Sequence, residues 1–161
     1  MLFLATMLFV CVNFSFAQPE LPQRSISIVA TQGLHFGTFC LTSPAGGTVI
    51  VGYDGSRSKN GDIALLSKGQ IAHPAIFEIK LCEGRNITIN FEPTIKLIGS
   101  NGGSLTLNIG PTEKGINGAS FSTNSDCNFI TPLRVGGILN VPGIAIPGIY
   151  SGSFTITFNQ Q

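Results

Sequence analysis

Few residues of this chain could do chemistry: two histidines, four cysteines and eight acidic residues. The histidines, His35 and His73, stand in the sequence without a neighbouring carboxylate or thiol. A hydrolytic triad or a zinc site needs His, Asp, Glu or Cys side chains that converge. Since no convergent set can be nominated, the sequence predicts a protein that is not an enzyme and holds no metal or cofactor. Both histidines are expected to have exposed structural roles.

Residues 54–62 carry oxygen-bearing side chains at alternate positions, as calcium-binding loops do. Arg57 and Lys59 add two positive charges to this segment, and no Glu follows at the distance that a bidentate ligand requires. We therefore expect a polar turn here and no calcium site. Residues 86–88 match a glycosylation sequon, but they lie inside a predicted strand, so we interpret the match as chance.

The cysteines are the most informative polar set. Cys11 lies in the N-terminal apolar segment, and the other three are Cys40, Cys82 and Cys127. An oxidising compartment allows one disulfide among these three and leaves one thiol over. Cys82 and Cys127 both stand beside polar turn residues at a predicted strand edge, so they are the first choice of pair, with Cys40 as the alternative partner. A three-thiolate metal site or a crosslink between subunits is the functional alternative.

Residues 1–17 have the composition of a secretory signal peptide. They carry no charged side chain, and an apolar run is followed by Ser15 and Ala17 at the small-residue positions of a cleavage site. The run is shorter than the roughly 20 residues that a membrane-spanning helix needs. We expect cleavage before Gln18, with an uncleaved anchor or a lipid anchor at Cys11 as the alternative. The expected location is the cell surface or the extracellular space, with the periplasm as the alternative.

The charge of the chain excludes several partners. Charged residues make up 11% of the sequence, less than half of the usual share of about 25%. The net charge is +1, and no stretch is strongly basic. This composition argues against nucleic acid and against an anionic membrane as binding partners. The chain should meet a membrane only during export.

The elements that must position these residues are short strands. Apolar and polar side chains alternate with a period of two, and turn residues separate the alternating segments. These segments are 25–30, 33–39, 48–53, 75–81, 86–92, 104–109 and 149–158. Each has one apolar face, which predicts an all-β antiparallel β-sandwich of about seven to nine strands.

The last strand has the clearest alternation. Its polar residues are Ser and Thr, and they point to the opposite face from the apolar ones. The predicted core of this strand consists of Tyr150, Phe154, Ile156 and Phe158. Residues 18–24, which include two prolines, are expected to be a mobile leader, and residues 25–161 a single sandwich domain.

Several phrases of the sequence resemble one protein family. They are LHFGTF at 34–39, GGTV at 46–49, YDGSRS at 53–58, AIFEI at 75–79, RVGGIL at 134–139 and PGIYSGSF at 147–154. In this order and spacing they resemble the bacterial secreted domain-of-unknown-function family 4402, from about residue 25 to the end. The resemblance implies an immunoglobulin-like sandwich with a pilin-like layout and without established catalytic residues.

A weaker similarity points to chaperone–usher pilins, which carry a glycine fourteen positions from the C-terminus and a penultimate aromatic residue. Gly148 matches the first feature, whereas Gln160 stands in place of the aromatic residue. The main hypothesis is a structural or adhesive surface subunit, supported by export, a polar surface of low charge, a last strand that could form a sheet edge and a mobile leader. Such a subunit can polymerise by lending a strand to a neighbour. Its expected partners are further copies, other surface subunits and a periplasmic chaperone.

The alternative function is a monomeric secreted module that recognises a glycan or a protein through its loops. Sugar-binding platforms usually present clustered aromatic side chains. This chain has no Trp and only two Tyr, which counts against a glycan ligand.

Overall fold

The structure is a computed structural model that describes residues 26–81, 86–124, 126 and 128–160. Within these residues the chain forms strands and no helix, and every strand pair is antiparallel. The described strands are β1 (Ile26–Gln32), β2 (Thr38–Leu41), β3 (Gly47–Val51), β4 (Arg57–Gly61), β5 (Ile63–Leu66), β6 (Ala75–Leu81), β7 (Asn86–Phe91), β8 (Thr94–Gly99), β9 (Ser104–Thr112), β10 (Ser120–Ser122), β11 (Thr131–Val141), β12 (Tyr150–Ser151) and β13 (Ile156–Gln160).

The larger sheet is organised around β11. Its strand order is β1-β6-β11-β9-β8-β12, and the β3–β4 hairpin joins it through β11. Residues 131–135 of β11 pair with β6 and residues 137–141 pair with β3, while β9 pairs along the opposite edge. Two strands therefore share one edge of β11, and the sheet divides there into the β6–β1 branch and the β3–β4 branch.

The second layer consists of two separate pieces. One is the three-stranded sheet β10-β7-β13, and the other is the two-stranded β2–β5 pair. Residues 38–51 and 57–66 are the two arms of one long hairpin, because β3 pairs with β4 and β2 pairs with β5. One half of this hairpin belongs to the larger sheet and the other half to the second layer.

The core lies between the layers, where the inward-facing side chains of the central strands meet. In β7, Ile87, Ile89 and Phe91 are buried while the residues between them are not, as the alternation predicts. Burial of one such side chain contributes about 1.5–3 kcal/mol. The side chains with 0% exposure are Val49, Ile79, Ile87, Ile89, Leu133 and Val135.

The predicted all-β antiparallel, sandwich-like fold is confirmed, and the described residues contain thirteen strands where about seven to nine are expected. Several additional strands are short, such as the two-residue β12 and the three-residue β10. Strand β4, with the sequence RSKNG, is polar on both faces and has no alternation to reveal it. It lies inside the segment 54–62, so the turn predicted for that whole segment ends at Ser56.

The segment predicted as one strand at 149–158 is two strands in different layers. Strand β12 pairs with β8 in the larger sheet, and β13 pairs with β7 in the second layer. Residues 152–155 pair with no strand and carry the chain from one layer to the other. Gly152 permits this crossing, because a Cβ atom there would lie 2.7 Å from the Leu97 side chain.

Candidate functional site

A half-open cavity of about 1280 Å³ lies between the two layers. Its floor is the inner face of the larger sheet, where Leu97, Leu105, Leu107 and Leu139 are buried. Residues 30–41 form one wall and residues 145–154 form another. The described residues that line it include no Asp, Glu, Lys or Arg, so the cavity suits an uncharged, apolar occupant.

Because the cavity is half-open, water can enter it, and the cost of an enclosed dry void does not arise. An apolar occupant would displace this water from the leucines of the cavity floor.

One wall of the cavity presents a strand edge that is free among the described strands, since β2 pairs there with β5 alone. Thr42 N–H donates to Asp62 O at 3.0 Å, which makes residues 42, 40 and 38 the positions that bond to β5. The backbone groups of Phe39 and Leu41 therefore point away from β5. All four residues of β2 line the cavity and none of β5 does, so the free edge of β2 borders the cavity.

His35, in the link between β1 and β2, pairs with His73 through its backbone. His35 N–H donates to His73 O and His73 N–H donates to His35 O, each at 2.9 Å, and the ring centroids are 5.6 Å apart. Burial lowers the pKa of His35, and the neighbouring His73 and Arg57 lower it further. The prediction of exposed histidines is wrong, since both are half-buried. Residues 33–37 are an irregular link and not the first part of a strand.

The Arg57 side chain, on β4, binds the backbone of β2 and β5 next to this link. Its Nη2 donates to Thr38 O at 2.8 Å and its Nη1 donates to Leu66 O at 3.2 Å, so one guanidinium holds both β2 and β5. A Cβ atom at Gly37 would lie 3.0 Å from this guanidinium. The charge that argues against a calcium loop in the sequence therefore has a structural role.

Asp54 caps the turn between β3 and β4. Its Oδ1 accepts hydrogen bonds from Ser56 N–H at 3.0 Å and from Ser56 Oγ at 2.6 Å. These bonds lower the pKa of Asp54. The described residues include no group of three or more His, Cys, Asp and Glu side chains that could hold a metal ion.

The cysteines are only partly placed. Cys40 is a free thiol, exposed on β2 at the cavity. Cys82 and Cys127 lie outside the described residues, so the Cys82–Cys127 disulfide stays a prediction.

The four predicted core residues of the last strand are all half-buried against the core. Tyr150 lies in β12, Ile156 and Phe158 lie in β13, and Phe154 lies on the crossing segment between them. The Phe154 and Phe158 rings lie 6.2 and 6.3 Å from the ring of Phe77 on β6. Tyr150 and Phe154 also line the cavity.

The rim of the cavity is apolar on the side of residues 145–154. Ile146 is 44% exposed and Ile149 is 79% exposed, and both line the cavity. Sequence reasoning did not find this site, because it arises where the chain crosses between layers. Residues 149–158 give no signal for it, because their polarity alternates through the crossing without a break.

The described residues contain no helix that is long and apolar enough to cross a membrane. No curated protein and no solved structure matches the chain. The model of the family described as Domain of unknown function (DUF4402) matches residues 26–159, which include nearly all of the described strands. The resemblance seen in the sequence is therefore confirmed, and the chain belongs to the domain-of-unknown-function family 4402.

Proposed function

We propose that this protein is a non-catalytic, exported structural or adhesive subunit of the cell surface, which associates with further subunits by strand exchange. The observation that carries the proposal is the edge position of β1 and the exposure of its side chains. In the described residues β1 pairs with β6 alone, at the edge of the larger sheet. Its side chains are exposed on both faces, with Ile28 36% and Val29 52% exposed.

Strand β1 contributes no buried side chain to the core. None of its residues is buried, and only Ile26 packs partly against the core cluster. Release of β1 would break its ladder to β6 and the hydrogen bond from Gln32 Nε2 to Pro74 O, but would remove no fully buried side chain. An N-terminal strand with these properties is suited to pair with another copy.

The edge that β1 presents is also unprotected. Natural proteins commonly place Lys, Pro or inward-pointing charges on exposed edge strands to prevent pairing. The sequence of β1, ISIVATQ, contains neither a charged residue nor a proline. Such an edge favours association with a second chain.

The proposed location rests on the sequence. The signal-like residues 1–17 and the polar surface of low charge support export to the cell surface or the extracellular space, with the periplasm as the alternative. A periplasmic chaperone would protect the unpaired strands before assembly.

Size-exclusion chromatography with light scattering, followed by negative-stain microscopy, tests the proposal on the mature chain that begins at Gln18. We expect oligomers or fibres whose amount rises with concentration and with slow refolding. A chain that remains monomeric at every concentration and after refolding would refute strand exchange.

A monomeric binding module is the second candidate, and the half-open cavity with its exposed Ile146 and Ile149 favours it. In that case the chain would be monomeric and would bind a glycan or a protein through its loops. The same chromatography separates the two functions.

A further inference from the structure

We infer that the cavity beside β2 receives the exchanged strand, so that β1 of one copy inserts along the free β2 edge of another copy. This inference rests on the proposed strand exchange and names its acceptor. The rival acceptor is the edge of β6, where an exchanged β1 would repeat the pairing seen within one chain.

The backbone of the acceptor has the features that strand addition requires. Extended segments bind where an unpaired strand edge lies beside pockets for alternate side chains. The backbone groups of Phe39 and Leu41 supply the edge, and the leucines of the cavity floor supply the pockets. Across the cavity, residues 152–155 also pair with no strand.

Size and charge match the donor to the cavity. A volume of about 1280 Å³ exceeds the roughly 300–1,000 Å³ of small-molecule sites, so it has room for part of a strand. Neither β1 nor the described lining carries a charged side chain, so insertion would bury no unpaired charge. Ile26, Ile28 and Ala30 lie on one face of β1 and would enter the cavity together.

The gain in burial favours the cavity over the β6 edge. At β6 the inner face of β1 is only partly covered: Ile26 packs against the core, but Ile28 stays 36% exposed. In the cavity the same side chain would contact the apolar floor and displace water.

Disulfide trapping distinguishes the two acceptors, because native Cys40 stands on β2. Three donor variants of the mature chain, Ser27→Cys, Val29→Cys and Thr31→Cys, each also carry Cys40→Ser. Each donor is refolded with the parent chain, oxidised, and digested for mass spectrometry of the linked peptides. If β1 inserts beside β2, at least one introduced thiol will link to Cys40 of the parent chain.

The controls separate the possible failures. The Val29→Cys donor mixed with a Glu78→Cys chain reports exchange at β6, since Val29 and Glu78 are paired in register. Links to Glu78→Cys without any link to Cys40 would overturn the cavity as acceptor and leave strand exchange intact. Absence of both links, together with a monomeric chain, would overturn the proposed function and this inference with it.

A second experiment fills the cavity. Ala145 is half-buried and lines the cavity, so Ala145→Phe should occupy the space of the donor. We expect about tenfold or greater loss of assembly at fixed concentration, with the melting temperature maintained. The matched control is Ile144→Phe, since Ile144 is 89% exposed and should assemble as the parent does. Equal assembly of both folded variants would contradict the inference.

Discussion

Truncation of one side chain in the central strand and of one on the crossing segment tests where the stability of this fold resides. Leu133 lies in the central strand β11 and is 0% exposed, opposite Phe77 of β6. Phe154 lies on the crossing segment, half-buried at the cavity wall. The two changes are Leu133→Ala and Phe154→Ala, with Thr155→Ala, an exposed neighbour of Phe154, as the control.

The expected costs follow from burial. Truncation of a buried leucine costs about 2–5 kcal/mol. The cost of Leu133→Ala should lie in the upper half of this range, because the strands paired on both sides of β11 prevent neighbouring side chains from filling the space. A buried phenylalanine costs about 3–5 kcal/mol, but Phe154 is only half-buried and already borders a void. We expect about 1.5–3 kcal/mol for Phe154, including about 0.5–1.5 kcal/mol from its contact with Phe77. Thr155→Ala should change stability by less than about 0.5 kcal/mol.

Unfolding of the purified mature chain by urea or by heat, monitored by intrinsic fluorescence or circular dichroism, measures these differences in the free energy of unfolding. Each kcal/mol corresponds to a change of roughly 3–5 °C in the melting temperature for a domain of this size. Leu133→Ala should therefore melt well below Phe154→Ala. If Phe154→Ala is the more destabilising change, the last segment and not β11 is the centre of the fold, and the assignment of layers is wrong.

Four further outcomes are expected. In the folded protein the pKa of His35 lies below its ordinary value of 6.5, so His35 of the unfolded chain is protonated first as the pH falls, and the free energy of unfolding should decrease below about pH 6.5. His35→Gln should remove that decrease in thermal melts taken between about pH 8 and pH 5. Gly143→Ala would place a Cβ atom against the backbone of Pro44 and should cost about 1–3 kcal/mol in the same melts, whereas Gly33→Ala, with open space around it, should be nearly silent. Intact-mass analysis of the exported protein should give a chain that begins at Gln18, and retention of residues 1–17 would contradict the cleavage prediction. Elemental analysis of that protein should show no stoichiometric zinc, copper or calcium, and one bound equivalent would overturn the structural interpretation of the cysteines.

The sequence predicts those strands whose two faces differ. Residues 75–81 alternate and form β6 over the same range, and residues 104–109 form the first part of β9. In each case one face is buried, so the period of two is visible in the residue types. Strands without such a difference, such as β4 with its polar faces, give no signal.

The cavity could not be predicted, because it depends on which layer each strand enters. Residues 149–158 alternate without a break in polarity, although β12 and β13 lie in different layers. The change of layer is decided by long-range pairing with β8 and β7 and by the close approach of Gly152 to Leu97. Alternation reports which face of a strand is apolar, but not which neighbour covers it.

The position of β11 in the chain has a consequence for the order of folding. Its three partners, β3, β6 and β9, all precede it, so the larger sheet cannot close until residue 141 of 161 is available. In a chain that crosses a membrane from its N-terminus, earlier pairs such as β3–β4 and β8–β9 could form, but their joining through β11 would wait until most of the length has emerged. Folding dominated by such distant pairings is slow and leaves apolar strands open to aggregation meanwhile. That interval is when a holding chaperone would have the greatest effect on yield.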